Sequence, residues 1–277
     1  MNNRFGLADL GLGVGLRTVH YGHVLERQPA VDFFEILSEN FMNTGGRPLH
    51  ILDQVSARYP VVLHGVSMNL GSTDPLDFAY LRELKALAER CRARWLGDHV
   101  CWTGVAGRNS HDLLPLPCTE EALRHLVART RAVQDFLERP LVLENASTYL
   151  TFAASTMPES VFLQRLAEEA DCALLLDVNN IYVSCRNHGW DPWEYLDDIP
   201  LERVVQIHLA GHSDHGTHCI DTHSGAVIDA VWDLYAAVIR CAGPRATLLE
   251  WDQDIPAFEQ VHAEVLKAGR YRAALAA

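Results

Sequence analysis

Short apolar segments of this 277-residue sequence repeatedly end in a histidine or a carboxylate. The polar residues at these ends are His64, His99, Glu144, Asp177, His208 and Glu250. A single residue of this kind is most often a structural histidine, a helix cap or an ion-pair partner. Burying a polar group is costly, so a purely structural interpretation would need a separate reason for each of these residues. A function that they share is the better interpretation.

The types of donor atom indicate what chemistry these residues would support. Imidazole and carboxylate ligands without an ordered cysteine spacing suit iron, manganese or zinc in a catalytic site. Because the donors exceed the needs of one ion, we expect two or three metal ions bridged by a carboxylate. Asp221 and His223, in the loop after the seventh predicted strand, add further donors. His215 and His218 lie in a polar loop and are expected to be solvated.

The elements that would position these donors are eight strand candidates separated by helical stretches. They are Gly13–Arg17, Phe33–Leu37, Val61–Val66, Leu96–Cys101, Leu141–Asn145, Ala173–Val178, Val204–Ala210 and Thr247–Trp251. This alternation over about 250 residues predicts an α/β fold, a (β/α)8 TIM barrel, whose chemistry gathers at the carboxyl ends of the strands. We expect one xylose-isomerase-like domain over residues 1–277, with the barrel core at about 11–268.

Helix starts between the strands support this alternation. Thr119 precedes two glutamates and predicts a helix to about Leu137, and Asp74 before a proline predicts another to about Arg92. A doubly wound open sheet is the alternative fold, but no GxGxxG motif follows the first strand candidate.

Composition narrows the class of protein further. Hydrophobic residues make up 48% and charged residues 21%, as in ordinary globular proteins, and no apolar run is long enough for a membrane span. A net charge of −13 argues against a nucleic-acid partner. The seven cysteines form no CxxC pair, and the N-terminal segment has no apolar signal region. We therefore expect a cytoplasmic protein with reduced thiols.

The sequence also carries motifs of a known family over most of its length. The segments are FFEILSENF (33–41), HGVS (64–67), GDHVCWT (97–103), DVNN (177–180), QIHLAGH (206–212), DTH (221–223) and EWD (250–252). In combination they resemble the DUF692 (UPF0276) family, the multinuclear non-haem iron-dependent oxidative enzymes. The one visible departure is Gly97, where a serine is usual.

The resemblance implies a TIM barrel with two or three iron ions, in mixed ferrous and ferric states. It implies that O2 is used to modify cysteine residues of a ribosomally synthesised precursor peptide. Products of such enzymes include oxazolone–thioamide and thiooxazole groups, or the peptide after excision of the cysteine β-carbon. A second protein that recruits the peptide is also implied.

Carried over position by position, the resemblance assigns metal binding to His64, His99, Glu144, Asp177, Asn180, His208, Asp221, His223 and Glu250. Glu144 would bridge two ions, one of which would be held by His64 and His99. The expected second site consists of Asp177, His208 and Glu250, and the expected third site of Asn180, Asp221 and His223. Asp98, His188 and His212 would orient ligands or substrate from outside the ligand set.

Two other functional classes remain open on the sequence alone. A divalent-metal barrel, acting as a sugar isomerase or an endonuclease-IV-like hydrolase, would use similar strand-end residues. The charge of −13 disfavours DNA. An isomerase would need a lysine near the metal, whereas the two lysines, Lys85 and Lys267, are expected on helix surfaces. A non-catalytic metal-binding protein is the third class, and O2-dependent turnover would distinguish an enzyme from it.

Overall fold

Eight parallel strands close into a barrel in the computed structural model, which describes residues 3–274. Every strand candidate forms one of these strands, and helices cover the outside, so the prediction of a single TIM-barrel domain is confirmed. The barrel order is β1-β2-β3-β4-β7-β8-β9-β12. All the strands of the described residues are β1 Leu12–Gly15, β2 Phe33–Leu37, β3 Val61–His64, β4 Leu96–His99, β5 Trp102–Val105, β6 Arg108–Leu114, β7 Leu141–Glu144, β8 Ala173–Asp177, β9 Val204–Leu209, β10 Ser213–Asp214, β11 Cys219–Ile220 and β12 Ala246–Leu249.

The helices lie between the barrel strands and follow the last strand. They are α1 Tyr21–Arg27, α2 Arg47–Ser56, α3 Phe78–Cys91, α4 Glu120–Leu137, α5 Glu159–Ala170, α6 Val178–His188, α7 Pro192–Asp198, α8 Asp229–Ala242, α9 Phe258–Leu266 and α10 Ala268–Ala273. Within residues 3–274, none of them is both long and apolar enough to cross a membrane.

The interior of the barrel changes from apolar to polar towards the carboxyl ends of its strands. Phe33, Val62, Val142, Leu175 and Leu248 pack in one fully buried cluster. Side chains two positions apart on a strand share a face, so the next residues on this face follow directly. They are Glu35, His64, Glu144, Asp177 and Glu250. An apolar layer therefore supports a layer of acids and imidazole at the mouth of the barrel.

On each barrel strand, the residues that alternate with these inward-facing side chains point outwards, towards the helices. Leu143 on β7 and Leu174 on β8 pack against the helices in a second, larger apolar cluster that includes Leu126 of α4 and Leu166 of α5. Because both faces of each strand are covered, the strands read in sequence as continuous apolar runs.

The start of α4 is as predicted, but the start of α3 is not. Thr119 caps α4 by accepting a hydrogen bond from the Ala122 amide at 3.2 Å. The residue that caps α3 is Asp77, which accepts from the amides of Ala79 and Tyr80, rather than Asp74. Asp74 instead accepts a hydrogen bond from the Ala106 amide, in the turn between β5 and β6.

Two short antiparallel ribbons were not predicted. β5 and β6 form a hairpin after β4, and β10 and β11 form a second ribbon after β9. Most of β6 is exposed and polar, so it lacks the apolar pattern that identifies a buried strand. Both ribbons follow carboxyl ends of barrel strands and therefore extend the rim of the barrel mouth.

We expect Asp77→Ala to lower the free energy of unfolding by about 1 kcal/mol, because two amides at the start of α3 lose their acceptor. Urea denaturation would measure the change. The matched control is Asp233→Ala, which removes an exposed aspartate from within α8. An equal loss of stability in the two variants would contradict the assignment of Asp77 as the cap.

Candidate metal centre

The first group of donors is formed by three neighbouring strands. His99 of β4 is in register with Glu144 of β7, and β3 brings His64 to the other side of β4. The His64 and His99 Nε2 atoms lie 2.7 Å and 3.1 Å from Glu144 Oε2, and 3.3 Å from each other. All three residues are buried. One carboxylate oxygen and two imidazole nitrogens thus converge on one point.

The second group lies on the other side of Glu144. Asp177 of β8 is in register with His208 of β9, and Glu250 follows β12. His208 Nδ1 lies 3.1 Å from Glu250 Oε2, 3.6 Å from Glu144 Oε1 and 4.0 Å from Asp177 Oδ2. Because Glu144 directs Oε2 to the first group and Oε1 to the second, it has the geometry of a bridging carboxylate.

The third group is formed by His223, Glu250 and Asp252. His223 Nδ1 lies 3.3 Å from Glu250 Oε2 and 3.2 Å from Asp252 Oδ2. On its other side, His223 Nε2 lies 2.8 Å from Asp221 Oδ1 and 4.0 Å from Asp177 Oδ2. Glu250 therefore connects the second group to the third, as Glu144 connects the first to the second.

The third group shares only His223 with the expected third site, because Glu250 and Asp252 stand where Asn180 and Asp221 were expected. Asp221 still contacts His223 from the other side of the ring. Asn180 does not contact Asp221 or His223 in the described contacts; its Nδ2 lies 3.4 Å from Glu144 Oε1 and 3.0 Å from the Asn145 carbonyl oxygen. The cause is local, because Asn180 lies in the first turn of α6, whose first amides face the carboxyl end of β8. Asp252 was not predicted, although it follows Glu250 by two residues in the EWD motif.

Unpaired polar atoms provide the test of whether the groups fit metal ions. Buried polar atoms normally have hydrogen-bond partners, and each exception calls for an explanation. Among residues 3–274, six of the twelve buried side-chain polar atoms without a hydrogen-bond partner belong to this region: His64 Nδ1, Glu144 Oε2, Asp177 Oδ2, Asn180 Oδ1, His208 Nδ1 and His223 Nε2. Those of Glu144, His208 and His223 lie 2.7–3.1 Å from an oppositely charged group without the geometry of a hydrogen bond, and nitrogen and oxygen donors of this kind suit iron, manganese or zinc. The residues present therefore fit a set of bound metal ions.

The electrostatics of the centre reflect the crowding of charges. Burial opposes ionisation of Glu144, yet the imidazoles of His99, His64 and His208 hold the pKa of this carboxyl well below its usual range. Burial and the nearby Glu144 charge raise the pKa of Asp177. Two carboxylates in one buried space thus have opposite shifts, because the histidines surround Glu144 more closely. A divalent cation between them would relieve this repulsion.

Contacts outside the groups fix which imidazole nitrogen faces inwards. His208 Nε2 lies 3.2 Å from Glu35 Oε2, which leaves Nδ1 directed at the second group. Gln206 donates to the same Glu35 oxygen at 2.7 Å and accepts from the Trp95 indole at 2.6 Å. His99 Nδ1 lies 3.1 Å from the Gly65 carbonyl oxygen, which leaves its Nε2 facing Glu144. Such outer contacts are typical of metal-binding histidines.

Arg17 is a second residue that sequence reasoning missed. Its guanidinium donates to Glu250 Oε1 at 3.1 Å, and also pairs with Asp252 and the Trp251 carbonyl oxygen. It therefore holds the two carboxylates of the EWD motif in place while leaving Glu250 Oε2 directed at His208 and His223. Arg17 follows β1, and only the closure of β1 against β12 brings it to this motif.

The three residues expected outside the ligand set have distinct surroundings. His212 Nδ1 lies 2.7 Å from Asn179 Oδ1, and Asn179 donates to Asp221, so His212 is linked indirectly to the third group. Asp98 accepts from the amides of Met68 and His99, and burial raises its pKa to about 6. His188 contacts Thr148 Oγ1 at 3.0 Å and lies at the end of α6.

Comparison with known families decides the identity of the chain. A family model described as "RiPP precursor modification enzyme MbnB/TglH/ChrH" matches residues 11–273. The chain belongs to this family. Its members modify precursors of ribosomally synthesised and post-translationally modified peptides, so the resemblance seen in the sequence is confirmed at the level of the family.

Relatives agree with this assignment over nearly the full length. A UPF0276 protein of Caulobacter vibrioides is 54% identical over 256 residues, which cover 92% of this chain and 91% of that protein. A UPF0276 protein of Anaeromyxobacter is 52% identical over 265 residues, covering 96% of this chain and 94% of the relative.

Solved structures share the fold at low sequence identity. D-psicose 3-epimerase from Clostridium cellulolyticum has a TM-score of 0.61 at 10% identity, with 96% of both chains covered. The zinc-containing IOLI protein has a TM-score of 0.58 at 12% identity, also with 96% of both chains covered. These similarities confirm the xylose-isomerase-like TIM barrel and concern the fold alone.

We expect metal content to respond differently to two substitutions. Glu144→Ala should remove most of the bound metal because two groups share this residue, whereas Asp252→Ala should remove about one ion per chain. Metal analysis of each purified variant after loading with ferrous iron would measure the difference. Glu168→Ala, an exposed change on α5, is the control and should load like the wild type. Full loading of the Glu144 variant would contradict the bridging geometry.

Proposed function

We propose that the chain is an iron-dependent enzyme that uses O2 to oxidise a cysteine residue of a ribosomally synthesised precursor peptide. The observation that carries the proposal is the sharing of Glu144 and Glu250 between three adjacent donor groups in a member of a peptide-modifying family. The ligands in this proposal are the nine positions carried over from the family, together with Asp252, which the structure adds.

The donor set supports iron chemistry through its composition. Among residues 3–274, the three groups contain only histidine and carboxylate residues and no cysteine. Bound iron would supply Lewis acidity for a substrate thiolate and would carry electrons from the peptide cysteine, which is oxidised, to O2, which is reduced. The sulfur ligand would then come from the peptide, since none of the seven cysteines, all free, belongs to the groups.

The chain's own residues would orient this centre and balance its charge. Glu35 holds the His208 ring so that Nδ1 faces Glu250, and Arg17 holds Glu250 from the opposite side. The Glu144 carboxylate lies at the middle of the site, where its exposed fraction is 0%. Water is therefore excluded from the inner part of the centre, while His223 lies nearer the mouth with a side chain that is 13% exposed. We infer that the peptide cysteine approaches from the His223 side.

A sugar isomerase is less well supported by the same geometry. The two lysines of the sequence contact other parts of the protein: Lys85 pairs with Glu138 at 2.5 Å, and Lys267 pairs with Glu264 at 2.5 Å. Both lie on helices or at their ends, so no lysine is placed beside the metal-binding groups for proton transfer.

The proposal also includes a reducing compartment and a partner. The free state of all seven cysteines is what a cytoplasmic protein would show. A separate protein that delivers the peptide remains part of the proposal because the family resemblance implies one.

The test is reconstitution with a cysteine-containing peptide and a candidate recruitment protein, both chosen from the reading frames that neighbour the protein's gene. After anaerobic loading with ferrous iron, addition of O2 should change the mass of the peptide, with the change localised to a cysteine. A peptide with serine at that cysteine should remain unmodified. His64→Ala should lower product formation by about 100-fold or more, because the first group loses one of its two imidazoles and with it the affinity for its ion.

The control variant is His262→Ala, which alters a half-buried histidine of α9 outside the three donor groups and should retain wild-type turnover. Product formation without O2, full activity with zinc in place of iron, or modification of the serine peptide would each contradict the proposed reaction.

A further inference from the structure

A cavity of about 610 Å³ opens between the loop after β7 and the corner that joins α6 to α7, and none of its lining residues belongs to the three donor groups. Its volume falls in the range of pockets that enclose a ligand. The cavity and the centre share one short segment of chain. Ser147 donates to Asp221 Oδ2 at 3.0 Å, and the next residue, Thr148, lines the cavity.

Apolar side chains form much of the wall and rim of this cavity. Leu150 is 50% exposed and Trp190 is 37% exposed, and both line it. Tyr149 and Trp193, adjacent in sequence to the lining residues, are 46% and 47% exposed. Large apolar side chains grouped on a surface in this way indicate a binding site. Four large apolar side chains suit contact with a peptide segment rather than with a single small ion.

The charged residues that line the cavity are all acidic. They are Glu159, Asp191, Glu194 and Asp198. No arginine, lysine or histidine is among its lining residues in the part of the chain that the structure describes. A wall lined with carboxylates is complementary in charge to a cation.

Glu159 is one of the two partly buried acids of this wall, and the hydrogen-bond partners of its carboxylate are neutral. Its Oε1 accepts a hydrogen bond from the Tyr195 hydroxyl at 3.0 Å, and its Oε2 accepts one from the Thr148 hydroxyl at 3.3 Å. Burial raises the pKa of this carboxyl to about 7. Tyr195 is itself buried. The Tyr195 and Thr148 hydroxyls therefore fix the Glu159 carboxylate at the cavity without neutralising its charge. A buried carboxylate in this setting gains from an arriving cation.

We propose that this cavity binds a basic side chain of the precursor peptide, together with an apolar residue next to it. The guanidinium or ammonium group would pair with Glu159, with Glu194 at the rim, and the aliphatic stem would lie against Trp190. The inference rests on the proposed function in one respect, namely that the natural ligand is a precursor peptide. It adds a substrate requirement: a basic residue at a fixed distance from the modified cysteine.

The position of the cavity explains how such binding would serve the reaction. Thr148 contacts both Glu159 and His188, and Ser147 contacts Asp221 beside His223. A peptide anchored at Glu159 would therefore lie across the segment 145–148 and enter the barrel mouth on the His223 side. The cavity would select the peptide and set its register, while the metal-binding groups act on the cysteine.

Fluorescence anisotropy with a labelled peptide tests the proposal on the full-length protein. The probe is fluorescein-labelled GSFRLSG, and the matched peptide is GSFQLSG, in which only the charge is removed. We expect the arginine peptide to bind at least about tenfold more tightly than the glutamine peptide, as for loss of a charge-assisted hydrogen bond. Glu159→Gln should weaken arginine-peptide binding by a similar factor, because it removes the charge while the amide oxygen can still accept from one hydroxyl and the NH2 group can donate to the other.

Two further variants keep the test decisive. Glu194→Gln changes an exposed residue on the rim and should weaken the arginine peptide more than the glutamine peptide. Glu26→Gln removes an equal charge from the exposed face of α1 and should change neither affinity. Equal binding of the two peptides, or an unchanged affinity in both cavity variants, would overturn the proposal. Because the probes contain no cysteine, this result is independent of turnover, and a failed reconstitution would leave it standing.

Discussion

A single buried carboxylate sets the conditions for the rest of this protein. Glu144 is 0% exposed and contacts histidines from three different strands, with Asp177 and Glu250 close by. Carboxylates removed from water in this way are costly unless cations neutralise them. The histidines supply part of that neutralisation, and the unpaired donor atoms that remain indicate where metal ions would supply the rest. The barrel provides the rigid frame on which this concentration of charge can be held.

The barrel strands and the donors at their ends could be predicted because the same pattern repeats along the sequence. Barrel strands are continuous apolar runs because both faces are covered, and each run ends where the inward face turns polar, so the strand-end donors could be identified from sequence. Asp252 and Arg17 could not be identified in this way. Arg17 reaches Glu250 only because β1 closes against β12, a contact between opposite ends of the chain. The exposed β5–β6 hairpin and the cap at Asp77 escaped prediction because neither produces an apolar period.

The family assignment and the geometry explain different levels of the function. Membership in a peptide-modifying family supplies the class of substrate. The linked groups of donors give that class a chemical basis, since Glu144 and Glu250 join three sites into one centre. The acidic cavity offers a reason why a short peptide would be held in one register. Solved sugar epimerases with the same barrel show that the fold alone does not fix the chemistry, which depends on the side chains at the mouth.

The most direct test of the account is the number and position of the iron ions. Anomalous diffraction at the iron absorption edge, from crystals of protein loaded with iron under anaerobic conditions, would locate each ion. We expect one anomalous peak on either side of the Glu144 carboxylate and a third beside His223, Glu250 and Asp252. A single peak, or peaks that do not contact Glu144, would contradict the claim that this carboxylate organises a multinuclear centre.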